Sequence, residues 1–470
     1  MKINISHLGI IKHAQIELKP FTVFLGENGT CKTWAAYTIA GLLGPYGRQR
    51  YLEAYLNGKT ATFEAVEDAI ETLTDKGAVT IDLRKFVVDH LERYINEIAR
   101  LIPEWLGIFM ATKRVRFDKT VVSVEITMLD MGKIMKVLEK TGIEAKRSVG
   151  KNQNILLALK AVQDKENLYF YITNESVDIP SLIKNREARV FVVNALFGTL
   201  SMLLAHNTPV FPVERTAWVT LPVTQKKDTK DQQKVDVMQD EEEVNQSRYV
   251  VLSEPVRYFF AMINTAQSRY FDREKEGRDN PEINKLIKLA HFLEENVLDG
   301  KVDFEDREGG TDILYTPAGA KSLEIHVASS MIKDIASLSI YLKYLANPRD
   351  LIVIDEPEMN LHPSAQAKMT EFMGMLVNAG LSLLITTHSP YIVDHLTNLM
   401  SAFDSPDKSS IKDHFYLGRE DAFVPKELVS VYLFNEKGEV KNMLSEDKVI
   451  DWDTFSDVSR EISEIYSHIA

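Results

Sequence analysis

The sequence has very little cysteine: Cys31 is the single thiol among 470 residues. One thiol cannot form an intrachain disulfide, and a chain with so little cysteine suits a reducing compartment, so we expect a cytoplasmic protein. Residues 1–20 alternate polar and apolar side chains and lack the uninterrupted apolar core of a signal peptide. The most hydrophobic segment, residues 190–206, is too short and too interrupted by polar residues to indicate a membrane span. We expect it to form a buried helix.

The chain also lacks an excess of basic residues. It contains 55 Lys and Arg against 68 Asp and Glu, which gives a formal net charge of −13. This balance excludes a surface that is basic throughout, so any contact with nucleic acid must use a local basic track. The composition is otherwise that of a soluble globular protein, and the length indicates about two to four domains.

A glycine-rich loop near the N-terminus is the first chemical signal. The apolar run FTVFL leads into GENGTCKT, residues 26–33, and the helical stretch TWAAYTIAGLLG follows. Strand, loop and helix in this order are the context of a phosphate-binding loop, whose backbone N–H groups bind phosphate oxygens at a helix N-terminus. The alternative is a glycine turn that caps an ordinary helix. The predicted nucleotide-binding residues are Gly26, Asn28, Gly29, Thr30, Cys31, Lys32 and Thr33.

Two residues of this loop have specific predicted roles. Lys32 is expected to reach the β- and γ-phosphate oxygens, and the Thr33 hydroxyl to complete the ligand shell of Mg²⁺. The usual pattern has glycine just before the lysine, whereas this chain has Cys31. A side chain at that position would crowd the nucleotide or make turnover sensitive to thiol oxidation.

The second signal is LIVIDEPEMNLHPSAQ, residues 351–366. Its apolar start predicts a buried parallel strand that ends in Asp355 and Glu356. Two carboxylates there are costly unless a cation or a substrate uses them. In P-loop enzymes the first acid binds Mg²⁺ and the second polarises the attacking water, so we predict Asp355 as a metal ligand and Glu356 as a catalytic residue. Residues 380–390 predict another buried strand, ending in His388, which would contact the same γ-phosphate. The alternative is two core strands with stray polar ends.

Long segments separate these two signals, and their composition predicts insertions. Residues 44–185 have apolar residues at helical spacing and form either an antiparallel arm or a compact lobe. The polar stretch 224–249 predicts a mobile loop or an acidic helical hairpin, and DGKVDFEDREGG, residues 299–310, predicts an acidic turn. The predicted domains are an N-lobe with the glycine-rich loop (1–43), a helical insertion with a small β-element (44–185), a return to the core (186–216), a second helical insertion (217–310) and a C-lobe (311–470).

Two pairs of charged residues leave alternatives open. Glu214 and Arg215 follow a short predicted strand and either report on the nucleotide state or form a surface ion pair. Asp451 and Asp453 form a DxD pair, which indicates either a nuclease metal site or the N-cap region of a helix. Too little chain remains after them for a nuclease domain, which favours the N-cap interpretation.

These motifs together resemble the ABC-type ATPases related to SMC, RecF and OLD proteins, and in particular the stand-alone AAA-family ATPases of prokaryotic anti-phage defence operons (PARIS- or Septu-type subunits). GENGTCKT is similar to the Walker A loop, LIVIDEPEMNLHP to the Walker B strand, THSP to the switch-histidine segment and FPVERT to a PxER segment. ASSMIK resembles a degenerate signature, with Ser330 in the place of the signature serine and Met331 where glycine is usual. The resemblance covers residues 1–43, 205–216 and 325–400.

The resemblance implies an α/β fold, a P-loop NTPase of ABC type with a mixed β-sheet flanked by helices and large, mainly helical insertions. It implies Mg²⁺-dependent ATP hydrolysis, with Lys32, Glu356 and His388 as catalytic residues. Arg215 is implied as a nucleotide contact, and Ser330 as a ligand of the partner's ATP in a head-to-tail dimer or higher homo-oligomer. For adenine, Lys12 and His13 are candidates by analogy, and a plain turn there is the alternative.

Three functions are compatible with these expectations. The first is a slowly hydrolysing, nucleotide-gated switch or scaffold that controls a separate effector, a nuclease or toxin, in anti-phage defence. The second is a RecF/SMC-like clamp that binds DNA in repair. The third, the cytosolic ATPase of a membrane transporter, fits less well because such ATPases are shorter and lack two large insertions. We therefore expect no membrane partner, and the departures at Cys31 and Met331 point to slow turnover.

Overall fold

The computed structural model describes residues 1–149, 154–162, 164, 166–173, 186–219, 252–269, 273–307, 310–444 and 450. The polar stretch 224–249 and the Asp451–Asp453 pair lie outside these residues, so the predictions made for them stay predictions.

The described chain contains strands and helices in alternating blocks. The strands are β1 (Lys2–Leu8), β2 (Ile11–Glu17), β3 (Phe21–Gly26), β4 (Ala78–Asp82), β5 (Val121–Glu125), β6 (Ile143–Val149), β7 (Asn154–Lys160), β8 (Asn167–Thr173), β9 (Val210–Phe211), β10 (Gly300–Arg307), β11 (Gly310–Pro317), β12 (Leu323–Glu324), β13 (Leu351–Asp355), β14 (Ser382–Thr387), β15 (Val429–Phe434) and β16 (Val440–Asn442). The α-helices are α1 (Lys32–Leu43), α2 (Pro45–Leu56), α3 (Glu64–Lys76), α4 (Leu83–Arg100), α5 (Ile102–Phe109), α6 (Met128–Lys140), α7 (Arg186–Leu204), α8 (Arg215–Val219), α9 (Glu254–Arg269), α10 (Arg273–Asp279), α11 (Pro281–Leu293), α12 (Ser330–Tyr344), α13 (Pro363–Asn378), α14 (Pro390–Phe403) and α15 (Lys408–Ile411).

The central element is a six-stranded mixed sheet in the order β16-β15-β3-β14-β13-β9. All of its neighbours pair in parallel except β15 and β16, which are antiparallel. Strands β3 and β13 are buried along their whole length, because helices cover both faces of the sheet. The parallel pairing brings the carboxyl ends of β3, β14 and β13 to one edge of the sheet. This architecture confirms the mixed, helix-flanked α/β sheet expected from the sequence.

Two hydrophobic cores lie on the two faces of this sheet. Alternate side chains of β3 enter different cores: Phe24 packs in the first, whereas Val23 and Leu25 pack in the second. The first core includes α1 and the long helix α7, and the second includes α12, α13 and α14. Helix α7 is the single described helix long and apolar enough to cross a membrane, and it packs within the first core. The prediction of a buried helix at 190–206 is confirmed.

The described residues between 44 and 173 form a compact lobe joined to the N-terminal strands. Strand β5 pairs with β1, so the chain returns to complete a three-stranded sheet in the order β2-β1-β5. A separate four-stranded sheet, β4-β8-β7-β6, contains β8, whereas β5 belongs to the three-stranded sheet, so the small β-element expected from the sequence is divided between two sheets. Helices α2 to α5 share the first core with α1 and α7. Between the two alternatives left open, the compact lobe is the one observed.

Two local predictions are wrong. The N-terminal turn lies at Gly9 and Ile10, not near Lys12 and His13, because Gly9 adopts a left-handed conformation with φ of 59°. The stretch DGKVDFEDREGG, expected as an acidic turn, contains strand β10, which pairs with β11 across the predicted boundary at 310/311. Its Val302 is buried between exposed or half-buried neighbours, which is the alternation of a strand.

Helix α7 is attached to the lobe through an aromatic cluster centred on Phe197, which is fully buried. The ring of Phe197 lies 5.4 Å from Tyr51, 5.0 Å from Tyr55, 5.2 Å from Phe63 and 5.1 Å from Tyr94, measured between centroids. Because this ring of α7 packs against aromatic side chains of α2 and α4 at once, its removal would leave a large cavity.

We expect Phe197→Ala to lower the free energy of unfolding by about 3–5 kcal/mol, the range for removing a buried aromatic ring. The measurement is urea unfolding followed by circular dichroism. Val88→Ala, at a half-exposed position of α4 in the same lobe, serves as the control and should change stability little. Equal midpoints for the Phe197→Ala protein and the wild type would contradict this account of the cluster.

Candidate nucleotide site

The loop between β3 and α1 has the backbone of a phosphate-binding loop. Gly26 has φ of 140°, and a β-carbon on it would lie 2.2 Å from the Phe434 carbonyl oxygen, so glycine is required there. Gly29 has φ of 78° and open space around it. No hydrogen bond among the described residues uses the backbone N–H groups of residues 28–31. These donors, at the N-terminus of α1, are therefore free to bind an anion.

Cys31 is the N-cap residue of α1 and has φ of 66° and ψ of 22°, in the left-handed region. This conformation explains why glycine is usual at the position. A β-carbon on Gly9 would lie 2.7 Å from Cys31 Sγ and 3.0 Å from the Trp34 ring. The thiol therefore packs against the β1–β2 turn, in space that Gly9 leaves open.

Lys32 folds over the loop that precedes it. Its Nζ atom donates to the carbonyl oxygens of Gly26 at 2.8 Å and of Glu27 at 2.7 Å. Burial lowers the pKa of Lys32, and the nearby carboxylates of Glu356 and Asp355 oppose that shift. The ammonium thus lies within the electrostatic reach of both predicted acids.

Asp355 at the end of β13 is the meeting point of three elements. Its Oδ1 atom accepts hydrogen bonds from Thr33 Oγ1 at 3.0 Å and from Thr386 Oγ1 on β14, and its Oδ2 atom accepts from Tyr37 at 3.2 Å. Burial raises the pKa of Asp355 above its ordinary value. Burial also raises the pKa of Tyr37, so that hydroxyl stays protonated and donates. Sequence reasoning missed Tyr37, although it lies one helical turn after Thr33 on the same face of α1.

Glu356 and His388 face each other across the ends of β13 and β14. His388 Nδ1 lies 3.5 Å from Glu356 Oε1 and 3.6 Å from Glu358 Oε1. Glu358 also accepts hydrogen bonds from Thr387 Oγ1 at 2.7 Å and from the His388 backbone N–H at 2.9 Å. The buried Glu358 carboxylate therefore fixes the segment that carries His388. In the sequence the second glutamate of DEPE, Glu358, carries this signal.

Arg215 is buried behind the acids, with 3% of its surface exposed. Its guanidinium donates to the carbonyl oxygens of Asp355 at 2.7 Å, Glu356 at 2.9 Å and Pro212 at 3.2 Å. Glu214 is exposed and forms no ion pair with Arg215 among the described contacts. The surface ion-pair interpretation of these two residues is therefore wrong.

The remaining predicted ligands, Ser330, Lys12 and His13, make no described contact with this cluster. Ser330 is the first residue of α12, and no hydrogen bond or ion pair of the described residues joins it to residues 26–33. The neighbouring Ser329 caps the helix instead, accepting from the Ile332 N–H at 3.4 Å. Lys12 and His13 are exposed on β2, and His13 Nδ1 lies 3.0 Å from Ser6 Oγ. The structure brings together Lys32, Thr33, Asp355, Glu356 and His388 from three strand ends.

Residues 1–393 match a family model described as AAA ATPase domain. The chain belongs to this family. No curated protein matches the sequence. Membership of the AAA ATPase domain family, with the glycine loop and the acidic strand end meeting at one sheet edge, establishes the P-loop α/β fold and the activity class of an ATPase.

Two solved structures of SMC heads are distantly similar to this AAA ATPase domain protein. One is the SMC head bound to the C-terminal winged-helix domain of ScpA, with 11% identity and a TM-score of 0.36 over 95% of this chain and 98% of that chain. The other is the Pyrococcus furiosus SMC head domain with an extended coiled coil, bound to the C-terminal domain of ScpA. It has 11% identity and a TM-score of 0.33, and covers 99% of this chain and 98% of that chain.

The raised pKa of Asp355 leads to a prediction about stability. Its folded-state pKa lies above the ordinary value of 3.8, so the folded protein binds this proton more tightly than the unfolded chain does. The ionised carboxylate therefore costs stability at neutral pH, and the cost disappears as the pH falls through the folded pKa toward 3.8. We expect Asp355→Asn to unfold at a higher urea concentration than the wild type at pH 7.5, with a gain that shrinks on acidification.

The measurement is a series of urea midpoints between pH 7.5 and acid pH, in buffer free of nucleotide and divalent cations. Asp68→Asn, at an exposed position of α3, is the matched control and should show no such trend. A less stable Asp355→Asn protein at pH 7.5 would show that the three hydrogen bonds to the carboxylate outweigh the cost of burying its charge.

Proposed function

We propose that this protein binds ATP and hydrolyses it slowly, and that ATP acts as a switch for assembly of two or more copies. The observation that supports this most is the convergence of Lys32, Thr33, Asp355, Glu356 and His388 at the carboxyl ends of three parallel strands. Two segments about 320 positions apart in the chain meet there, and together they have the chemistry that ATP hydrolysis needs.

The loop residues 26–33 and the acids fit ATP and Mg²⁺. Free N–H groups at a helix N-terminus suit the phosphates, and the oxygen donors of Thr33 and Asp355 suit a hard divalent cation. The described residues contain no group of three or more His, Cys, Asp or Glu side chains that could hold a metal ion. Thr33 and Asp355 are the side chains that would hold the cation. Bound Mg²⁺ would neutralise charge on the transferred phosphoryl group.

In this proposal Glu356 polarises the attacking water, and His388, held by Glu358, contacts the γ-phosphate. Lys32 exchanges the carbonyl oxygens of its own loop for phosphate oxygens. Burial lowers the pKa of Lys32, which disfavours its charged form. A bound anion would stabilise the ammonium and raise that pKa, so the charged lysine and the anion would stabilise each other. Arg215 holds the backbone of Asp355 and Glu356 in place through its hydrogen bonds to their carbonyl oxygens.

The first prediction from this proposal concerns hydrolysis. Lys32→Ala should weaken ATP binding at least tenfold, whereas Glu356→Gln should bind ATP normally and release phosphate at least 100-fold more slowly, since only the water-activating group is lost. Chelation of divalent cations should stop turnover of the wild type. The measurements are fluorescent-nucleotide titration and phosphate release. Wild-type turnover in the Lys32→Ala protein would refute this assignment of the site.

Ser330 supports the assembly part of the proposal. It lies at the exposed start of α12 and has no described contact with the phosphate loop of its own chain. A serine so placed is available to the nucleotide of a second copy in a head-to-tail pair, where each copy closes the other's site. Cys31 and Met331, which replace the usual glycines, are consistent with slow turnover, which suits a switch.

We expect the Glu356→Gln protein to form dimers, or a larger assembly, when Mg²⁺ and ATP are present. Ser330→Arg in the same background should weaken that assembly at least tenfold, because a long cation would occupy the shared interface. Light scattering coupled to size-exclusion chromatography measures the mass, and Ser322→Arg, in the turn between β11 and β12, is the control. Assembly that forms equally well without nucleotide would contradict the switch.

The finer role that we propose is control of a separate effector, a nuclease or toxin, in anti-phage defence in the cytoplasm. The described part of the chain is an ATPase core with large inserts, and in this proposal the effector chemistry belongs to another protein. An effector gene beside this one would support the role, and a replication operon would favour the DNA clamp.

One observation favours the alternative of a DNA-binding ATPase clamp. The loop from residue 111 to residue 120 exposes Lys113, Arg114, Arg116 and Lys119, and no ion pair among the described contacts neutralises them. Phe117 anchors this loop against Trp34 of α1, with ring centroids 5.5 Å apart. DNA affinity that depends on ATP and falls steeply with salt would select this function.

A further inference from the structure

A buried contact joins α12 to the segment that follows β13, which we call the acidic loop (residues 355–360). Asp334 is the first fully buried residue of α12, one turn after Ser330, and 3% of its surface is exposed. Its Oδ1 atom accepts a hydrogen bond from Thr216 Oγ1, and its Oδ2 atom accepts from Asn360 Nδ2 at 2.7 Å. Arg215 Nε lies 3.5 Å from Asp334 Oδ1, which forms an ion pair.

Arg215 extends this contact to the two acids of the nucleotide site. Its two terminal nitrogens bind the carbonyl oxygens of Asp355 and Glu356, while its Nε faces Asp334. A guanidinium is planar, and its donors point in fixed directions. A shift of either carbonyl must therefore move the guanidinium or break its ion pair, and breaking a buried pair leaves an uncompensated charge.

Asp334 thus holds both ends of the acidic loop, its start through Arg215 and its end through Asn360. Two residues of this loop, Glu356 with φ of 50° and Asn360 with φ of 59°, lie in the left-handed region that side chains disfavour. Such a conformation persists because surrounding contacts hold it. The first turn of α12, by contrast, is exposed or half-buried, so Asp334 is where the helix becomes fixed to the site.

We propose that Asp334 is a positioning residue that couples the acidic loop, when it meets a nucleotide phosphate, to the amino end of α12. Nucleotide bound to one protomer would thereby set the position of that protomer's own Ser330, which is offered to a second copy of the chain. The inference rests on the proposed function, in which Ser330 completes the partner's site. It adds that the ATP bound to each copy would control the position of the Ser330 that this copy offers to its partner.

The test uses amide hydrogen exchange at residues 325–333 in the full chain, with and without Mg²⁺ and a non-hydrolysable ATP analogue, at a concentration where light scattering reports single protomers. We expect the analogue to slow exchange in this segment at least fivefold in the wild type. Asp334→Asn and Asn360→Ala should bind the analogue within threefold of the wild type and reduce the response to less than twofold. Asn360 is exposed, so its variant should fold if the buried Asp334→Asn does not.

Glu371→Gln is the control for a buried carboxylate with a purely structural role. Glu371 is fully buried in α13 and accepts from the backbone N–H groups of Tyr416 and Leu417, away from α12. This variant should keep the full exchange response even if it is less stable. A full response in Asp334→Asn or Asn360→Ala, or none in the wild type, would overturn the coupling. If the analogue slows exchange in the wild type but the protein never assembles with ATP, the dimer switch would be refuted. The coupling between Asp334 and α12 would still stand.

Discussion

The hydrogen bond from Thr33 to Asp355 is the contact on which the site depends. It links the helix after β3 to the end of β13, and the strand between them, β14, donates to the same carboxylate through Thr386. Tyr37 donates to the other oxygen. Three neutral donors hold an acid whose burial would otherwise be prohibitive. The charge stays costly because, in the described part of the chain, none of the carboxylate's direct partners is a cation. The site is therefore set up to gain stability when a cation arrives.

The parts of this arrangement that the sequence predicts are those encoded in local runs. Residues 351–354 and 383–385 are uninterrupted apolar stretches, as expected of strands covered on both faces, and each ends in polar residues that can function only at a sheet edge. Strand β10 was not predicted because it lacks such an apolar run. Its charged residues suggested a turn, although Val302 follows the alternation of a strand and Lys343 of α12 binds both Glu294 and Asp303 beside it.

The parts that the sequence does not predict are contacts between segments far apart in the chain. Tyr37 and Glu358 were missed, but both could have been predicted within the motifs: Tyr37 from helical spacing after Thr33, and Glu358 as the second glutamate of DEPE. Arg215 and Asp334 belong to a different class, since a charged residue after a short strand and another inside an amphipathic helix are both compatible with exposed positions. Only the pairing of β9 with β13 and the packing of α12 bring them together in the interior.

Cys31 shows how a departure from a motif can be compensated elsewhere in the fold. A left-handed conformation costs a residue with a β-carbon about 1–2 kcal/mol, which is why glycine is usual before the lysine. Here the glycine occurs instead in the β1–β2 turn, where Gly9 leaves room for the thiol and the Trp34 ring. The strain at Cys31 is offset by packing, because the Cys31 side chain also holds the N-terminal hairpin against the start of α1. The hairpin turn and the phosphate loop form one packing unit, so a change at Gly9 would act on the nucleotide site without touching a nucleotide ligand.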